Sequence, residues 1–330
     1  MSYGFCSSGF LALPAADQQK EAAGIKAAGA TYVRISLPWG TVETAQGVFS
    51  NMALITTGIN TIINAGLKPL VVLDHPIPQS GFWIFAGNAA WATPAEYGNF
   101  CATIVKAFPQ VTDYELWNEP NLLSFFNPVD PVAFAPYLKA GYSAAKKANP
   151  SAHFALGGLA AALDYTGFVS SWSPLLFGVM KETAQPSHYL AGLYAAGCKG
   201  FFDAVAYHPY VANPSTGVPM EPLPTHPSLT EFANLRAVMT ENQDATMEIW
   251  PTEWGYSTGT AVNQVTPATQ AAWLVEQAKL MATIPLISHS CPFSWRNMSA
   301  STTDVNSNFG VVDWAYNPKP ALAALAGVLK

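Results

Sequence analysis

Charged residues are scarce in this chain of 330 residues. Asp, Glu, Lys and Arg make up 11% of it, whereas globular proteins average about a quarter. Only three arginines are present, and the chain has 15 basic and 21 acidic residues. A nucleic-acid partner would require a basic patch or stripe, which the scattered lysines do not form. With so few charges, a carboxylate or an arginine inside an apolar segment carries a burial cost that needs a reason.

Long hydrophobic runs and paired cysteines are also missing. No stretch approaches the roughly 18 apolar residues of a membrane-spanning helix, so no membrane insertion is expected. Because Cys6, Cys101, Cys198 and Cys291 form no Cys-x-x-Cys pair, a structural zinc site is disfavoured. Buried free thiols are the favoured interpretation, with a disulfide as the alternative. The first residues show no signal peptide, so we expect a mature chain or one exported by another route, for example in a phage particle.

Several catalytic signatures are absent as well. The sequence has no His-x-His or His-Glu-x-x-His metal motif, no Gly-x-Ser-x-Gly elbow and no phosphate-binding glycine loop. We therefore predict neither a metal nor a cofactor. A chance cluster of Asp74, His75 and other strand-end residues is the metal-binding alternative that the sequence leaves open.

Strand-like and helix-like segments alternate along the whole chain. With no interior linker, eight such units predict one (β/α)8 barrel spanning residues 1–330. The predicted strands are Tyr3–Ser7, Tyr32–Ser36, Lys68–Leu73, Tyr114–Asn118, His153–Gly157, Ala204–His208, Glu248–Thr252 and Ile287–Trp295. The predicted helices are Asp17–Ala28, Ala53–Ala65, Pro94–Phe108, Pro131–Ala148, His188–Cys198, Ser228–Met239, Pro267–Thr283 and Lys319–Leu329. Loops rich in Pro and Gly follow three strands, at Asp74–Trp91, Val211–Pro227 and Asn297–Pro318.

Two glutamates stand just after short apolar strands. Glu119 follows the fourth predicted strand and Glu253 the seventh. Pro120 is expected to bias Glu119 toward an extended backbone, and Gly255 to permit a sharp turn after Glu253. Two carboxylates at strand ends of one barrel are what glycosidic bond cleavage requires, one as proton donor and one as nucleophile or base.

Other polar and aromatic residues cluster at the same predicted strand ends. A barrel brings the carboxyl ends of its strands to one face, where (β/α)8 enzymes build their active sites. Glu115 and Glu248 are expected to face outward or lie at the rim, so no role is assigned to them. The strand-end residues are Arg34, His75, Asn118, His208, Tyr210, Trp295 and Arg296.

These motifs resemble those of clan A retaining glycoside hydrolases, most closely families 39 and 5, over essentially the whole chain. The matching segments are Val33–Trp39, Trp117-Asn118-Glu119-Pro120, His208-Pro209-Tyr210, Thr252-Glu253-Trp254-Gly255, Trp295 and Phe309–Asp313.

The resemblance implies a role for each matching residue. Glu119 would be the acid/base and Glu253 the nucleophile, with Arg34 and Tyr210 as hydrogen-bond donors to Glu253. Asn118 would bind the sugar 2-hydroxyl, and His75 and His208 would bind hydroxyls or orient the carboxylates. Trp295 would form the floor under the sugar and would be followed by a cis peptide bond. Trp39 and Trp254 are further candidates for sugar binding, with loop packing as the alternative.

The expected function is hydrolysis of a poly- or oligosaccharide with retention. We expect cleavage within the chain of an extracellular or cell-envelope polysaccharide, by a protein that is extracellular, in the cell envelope or associated with a phage particle. Two alternatives stay open. One is a barrel that binds carbohydrate without cleaving it, and the other is a transglycosylase that uses the same site. The sequence does not indicate the sugar, the linkage or the oligomeric state.

Overall fold

The computed structural model describes residues 1–75, 92–170, 177–211 and 220–328, with the backbone alone for 167–170 and 177–180. Its centre is a parallel sheet of eight strands, which confirms the predicted barrel. These strands are β1 (Ser2–Cys6), β2 (Tyr32–Pro38), β5 (Lys68–Asp74), β6 (Asp113–Leu116), β7 (His153–Ala160), β10 (Ala204–His208), β11 (Glu248–Pro251) and β12 (His289–Ser290).

Neighbouring strands pair in chain order from β12 through β1 to β11. The sheet closes on itself through backbone hydrogen bonds between β11 and the segment around β12. Ile249 N donates to Leu286 O at 2.9 Å, and Cys291 N donates to Pro251 O at 3.0 Å. Closure brings the carboxyl ends of all eight strands to one face.

Two antiparallel hairpins interrupt the alternation and are not expected from the sequence. One pairs β3 (Glu43–Ala45) with β4 (Val48–Phe49), and the other pairs β8 (Tyr165–Ser170) with β9 (Phe177–Thr183). Both follow a barrel strand on the side where the loops were predicted. The predicted loops Asp74–Trp91 and Val211–Pro227 fall partly on residues 76–91 and 212–219, outside the described residues.

Helices connect the barrel strands and cover the sheet. They are α1 (Ala15–Ala27), α2 (Trp39–Val42), α3 (Met52–Asn64), α4 (Pro94–Ala107), α5 (Pro131–Ala148), α6 (Pro186–Ala195), α7 (Pro227–Glu241), α8 (Pro267–Met281) and α9 (Pro320–Ala326). The predicted starts at Pro94, Pro131 and Pro267 are confirmed. Each is preceded by a side-chain cap, from Thr93, Asp130 and Thr266, because Pro suits the first helical position and the cap accepts from a free backbone N–H.

Successive side chains of a strand point to opposite faces of the sheet, which gives the protein two apolar clusters. Val33 and Ile35 belong to the apolar layer between sheet and helices, whereas Tyr32 belongs to a cluster inside the barrel. That inner cluster combines large rings with small residues, so the rings have room. Its members are Cys6, Tyr32, Leu70, Ala155, Ala204, Ala206, Trp250 and Cys291. All four cysteines are buried and free, as the favoured interpretation predicted. Within the described residues no helix combines the length and the apolar character needed to cross a bilayer.

Candidate active site

Arg34 is the hub of a polar cluster at the carboxyl end of the barrel. It lies on β2 between Val33 and Ile35, and its guanidinium group is 5% exposed. Its Nη1 atom lies 2.5 Å from Oε1 of Glu253, and its Nη2 atom donates to Oδ1 of Asn118 at 3.0 Å. The arginine of the second barrel strand therefore joins residues that follow the fourth and the seventh strands.

The chain turns sharply as it leaves β6, and that turn presents Glu119. Trp117 and Glu119 have positive φ angles of 77° and 45°, a conformation that costs a non-glycine residue about 1–2 kcal/mol. The expectation that Pro120 makes Glu119 extended is therefore wrong. The strained turn is held from outside, because Glu119 N donates to Gly158 O at 3.0 Å, and the buried side chain of Asn121 bonds to Ala160 N and O.

His208, at the end of β10, orients Glu119. Its Nδ1 atom lies 2.8 Å from Oε1 of Glu119, and the imidazole is fully buried. The ring is seated over Gly158, where any Cβ would overlap its Nε2 atom. Nε2 itself has no hydrogen-bond partner among the described residues. Nδ1 is therefore the ring nitrogen through which His208 meets the active site.

Glu253 receives donors from two sides. Beyond Arg34, the Tyr210 hydroxyl donates to Oε2 of Glu253 at 3.0 Å. The sequence anticipated both contacts. A glycine is needed at position 255 for another reason than the expected turn. A Cβ there would overlap the carbonyl oxygen of Phe293. That close approach brings the segment after β12 against the segment carrying Glu253.

Glu119 and Glu253 face each other at the same opening. Their side chains are 13% and 14% exposed. One carboxylate oxygen of each, together with Nδ1 of His208, forms a group whose atoms lie within 4.8 Å of one another. Retaining glycosidases place their two carboxyl groups about 5–5.5 Å apart, and inverting enzymes about 6.5–9.5 Å apart to admit a water. With one oxygen of each group within 4.8 Å of the other, the pair lies nearer the retaining spacing than the inverting one.

The surroundings push the two carboxyl groups toward opposite protonation states. Burial raises the pKa of Glu119, and the negative charge of Glu253 adds to this, against the opposing hydrogen bond from His208. Burial would also raise the pKa of Glu253, but His208, Arg34 and Tyr210 outweigh it and hold that pKa below its usual value. Burial raises the pKa of Tyr210 well above its usual value, so the phenol stays a donor. The site thus favours the protonated form of Glu119 and the ionised form of Glu253.

The same three residues are the group spaced to hold a metal ion among the described residues. One imidazole and two carboxylates are ordinary ligands for divalent transition metals. However, Glu253 already accepts from Arg34 and Tyr210, so a metal there would compete with those donors. Within the part of the chain that the structure describes, the predicted alternative around Asp74 does not form such a group. His75 instead hydrogen-bonds to Asp74 through Nδ1, with its ring 5.4 Å from that of Phe125.

The expectation that Trp295 forms the sugar floor is wrong. Its indole is 4% exposed, lies 5.4 Å from the ring of Phe5, and covers Gly24 of α1 so closely that a Cβ there would overlap it. It therefore packs between sheet and helices. The expected cis peptide bond after Trp295 is also misplaced, because the non-proline cis bond joins Phe293 and Ser294.

Phe293, two residues before Trp295, lies on the inner side of the barrel instead. It packs on the cluster inside the barrel and is partly exposed. Its ring lies 6.3 Å from that of Tyr210 and 5.6 Å from that of Phe309. Since Tyr210 contacts Glu253, Tyr210 connects this aromatic group to the carboxylates.

Two other predicted aromatic contacts are also not formed. Trp39 is fully buried, donates from Nε1 to Glu43 and stacks on Phe100. Trp254 is fully buried and donates from Nε1 to the Ser290 hydroxyl at 3.0 Å. Both rings belong to the core between sheet and helices, so neither offers a face to a substrate.

Sequence reasoning missed Glu115. This residue of β6 is 0% exposed, and both of its carboxylate oxygens bind Arg34, at 2.8 Å and 3.0 Å. The available signal was its position between Tyr114 and Leu116, which point into the helix layer. In a strand, the side chain between two such residues points the other way, into the barrel.

Solved structures similar to this fold include glycoside hydrolases. A family 39 glycoside hydrolase from Bacteroides cellulosilyticus WH2 matches over 99% of this chain, with a TM-score of 0.69 and 24% identity. This chain spans 63% of that enzyme's length. A family 5 subfamily 18 enzyme from Streptomyces cattleya, in complex with GlcNAc, matches over 99% of this chain and 79% of its own, with a TM-score of 0.71 and 13% identity.

A β-xylosidase from Caulobacter crescentus CB15 matches with a TM-score of 0.69 and 17% identity, over 99% of this chain and 67% of its own. No protein-family model and no curated protein matches the sequence. The resemblance to clan A families 39 and 5 is thus confirmed at the level of the fold.

Proposed function

We propose that the protein is a retaining glycoside hydrolase in which Glu253 is the nucleophile and Glu119 the general acid/base. One observation carries this assignment. One carboxylate oxygen of Glu119 lies within 4.8 Å of one of Glu253, and the surroundings shift the pKa values of the two groups in opposite directions. The fold of the matching glycoside hydrolases supports the same function.

In the first step an Oε atom of Glu253 attacks the anomeric carbon of the bound sugar. The bond from that carbon to the leaving oxygen breaks, and the leaving oxygen takes the proton of Glu119. The product is a glycosyl ester on Glu253. Arg34 and Tyr210 bind the Glu253 oxygens, so they fix the direction of attack.

In the second step a water molecule replaces the ester. Esterification removes the negative charge of Glu253, which had helped to raise the pKa of Glu119. The ionised Glu119 then takes a proton from the water as it attacks the anomeric carbon, and Glu253 leaves as a carboxylate. Two inversions give net retention.

The remaining residues of the site bind and orient the sugar. Arg34 holds Oδ1 of Asn118, so the amide nitrogen of Asn118 points away from the arginine and is placed to donate to the sugar 2-hydroxyl. Phe293 supplies an apolar face beside Tyr210, suited to the C–H face of a sugar ring. His208 orients Glu119 rather than contacting substrate, since its imidazole is fully buried.

The substrate is proposed only by class, as a neutral poly- or oligosaccharide. Arg34 is committed to Glu115, Glu253 and Asn118, and Arg296 to Glu21. Neither arginine is therefore left to bind the carboxylate of an acidic sugar. A cell-envelope or extracellular polymer, including a furanoside polymer, and action within the chain remain our predictions. Similar solved structures include a β-xylosidase and a subfamily 18 enzyme bound to Manβ1-4GlcNAc, so xylosides and mannosides belong among the first substrates tested.

The test is hydrolysis of a panel of aryl glycosides that spans xylosides, mannosides, glucosides, galactosides and the corresponding furanosides. We expect turnover of at least one, with Glu119→Gln and Glu253→Gln folded but slower by several orders of magnitude. Glu276→Gln, on an exposed face of α8, is the matched control and keeps wild-type activity.

Other outcomes support the alternatives. Saturable glycan binding without hydrolysis by the wild type indicates a binding protein. Products extended by an added sugar indicate a transglycosylase.

A further inference from the structure

We propose that Glu115 is a positioning residue that sets how strongly Arg34 holds the nucleophile Glu253. This role rests on the proposed function, because it assigns Glu115 a part in the same reaction without contact to the substrate. It is argued from how the donors and the charge of Arg34 are shared.

Glu115 takes one full edge of the guanidinium group. Nε and Nη2 of Arg34 donate to its two oxygens at 2.8 Å and 3.0 Å, the paired arrangement that fixes an arginine most firmly. With side-chain exposures of 5% and 0%, neither residue can exchange this contact for water.

Arg34 reaches the active-site residues with its remaining N–H donors. Nη1 lies 2.5 Å from Oε1 of Glu253, and Nη2 also reaches Oδ1 of Asn118 at 3.0 Å. Because Glu115 occupies the edge that could bind a carboxylate twice, Glu253 receives one contact from Arg34 instead of two. Its other oxygen stays with Tyr210.

The positive charge of Arg34 is shared between the same two carboxylates. One guanidinium cation faces two carboxylates, Glu115 and Glu253, so it does not neutralise Glu253 alone. An interaction that is strong with the free carboxylate and is lost in the ester stabilises the ground state and slows the attack. By sharing the cation, Glu115 weakens the hold of Arg34 on the Glu253 carboxylate and so leaves the nucleophile more reactive.

Carbon-13 NMR of protein labelled at the glutamate side-chain carboxyl groups tests this without substrate. The Glu253 signal is assigned by its absence in Glu253→Gln. In Glu115→Gln we expect its titration midpoint to fall, by about one pH unit, because a neighbouring like charge is gone and Arg34 is freed. An unchanged or higher midpoint overturns the proposal.

Glu21→Gln is the matched control. Glu21 is likewise buried, 2% exposed, and its Oε1 accepts from Nε of Arg296 at 2.8 Å. Both variants remove one carboxylate from a buried ion pair, so both should lower the melting temperature. Only Glu115→Gln should move the Glu253 midpoint. A merely structural Glu115 would leave the midpoint equal in the two variants.

Activity gives the second readout where a panel glycoside is turned over. Glu115→Gln should lower kcat/KM by about 10- to 100-fold, as expected when a catalytic group is misplaced, and move its acid limb to lower pH. If Glu115→Gln does not fold, Glu115→Asp replaces it. This variant keeps the charge, so we expect a wild-type acid limb with a reduced kcat. A wild-type kcat for Glu115→Asp overturns the proposal. Absence of any wild-type turnover counts against the proposed function alone, because the NMR titration does not depend on it.

Discussion

Nδ1 of His208 lies 2.8 Å from Oε1 of Glu119, while Nε2 of the same ring is buried over Gly158 and has no hydrogen-bond partner in the described part of the chain. The histidine is thus connected to the site through one atom. It supplies a hydrogen bond that favours the ionised form of Glu119 and so moderates the rise in pKa that burial causes. This relationship sets the pH range in which Glu119 can act first as acid and then as base.

Removing the donor of His208 should therefore move the alkaline limb of activity. A lost hydrogen bond destabilises ionised Glu119, so the pKa of Glu119 rises and the acid form persists to higher pH. For His208→Leu we expect the alkaline limb of kcat/KM to shift upward by about one pH unit. In His208→Asn the amide nitrogen can take the place of Nδ1, and the limb should stay near that of the wild type. A downward shift in His208→Leu contradicts this account.

The seat of His208 allows a second prediction. A Cβ at residue 158 would overlap the imidazole, so Gly158→Ala must displace the ring and with it Glu119. We expect kcat/KM to fall about 100-fold, the scale of a small misplacement of a catalytic group. Gly327→Ala is the control, since its nearest neighbour would be 3.4 Å away in ordinary contact. Equal activity of the two variants in steady-state kinetics would show that the ring position does not matter.

Tyr210→Phe should act on the other limb. The phenol donates to Oε2 of Glu253 and helps to hold its pKa low. Without that donor the pKa of Glu253 rises, so the acid limb of kcat/KM moves to higher pH, opposite to the shift expected for Glu115→Gln. A hydrogen bond to a charged group contributes about 1.5–3 kcal/mol, and we expect kcat/KM to fall about 10- to 100-fold. An acid limb at or below that of the wild type would exclude Tyr210 as a stabiliser of the ionised nucleophile.

Substitutions of Phe293 and Trp295 should have different effects, the first on substrate binding and the second on the stability of the fold. Phe293 borders the site, so Phe293→Ala should raise KM or lower kcat/KM about 10-fold or more, in line with the burial of an aromatic ring against a sugar. Trp295 packs on Gly24 of α1, so Trp295→Phe should lower the free energy of unfolding by about 0.5–3 kcal/mol and leave kcat/KM near that of the wild type. Urea denaturation and steady-state kinetics measure the two effects. The reverse pattern would restore Trp295 as the sugar floor.

The sequence predicted the barrel because alternating strands and helices, and the Pro-capped helix starts, are local features. It also predicted Glu119, Glu253, Arg34, Asn118, His208 and Tyr210 at one face, since parallel strands end together. The roles of these residues are still proposals. The local conformation of Glu119 was missed, because contacts from β7 impose its positive φ and override the preference set by Pro120.

The side on which Trp295 lies depends on where the alternation of inward- and outward-pointing side chains changes after β12. The sequence does not show that position. Cys291 and Phe293 follow the two-residue alternation and lie on the inside of the barrel. The regular ladder of β12 ends at Ser290, and by Trp295 the alternation has changed, so that the indole points to the helix layer. Glu115 was missed for a simpler reason. An outward position was assumed for it, although apolar neighbours on both sides pointed to an inward one.

The stereochemistry of the first product tests the central claim most directly. Proton NMR would follow hydrolysis of whichever aryl glycoside the wild type turns over, at times shorter than mutarotation. A carboxylate oxygen of Glu119 lies within 4.8 Å of one of Glu253. This short distance predicts that the anomer formed first keeps the configuration of the substrate. An inverted first product would mean that water attacks the sugar directly, and would contradict the assignment of Glu253 as the nucleophile.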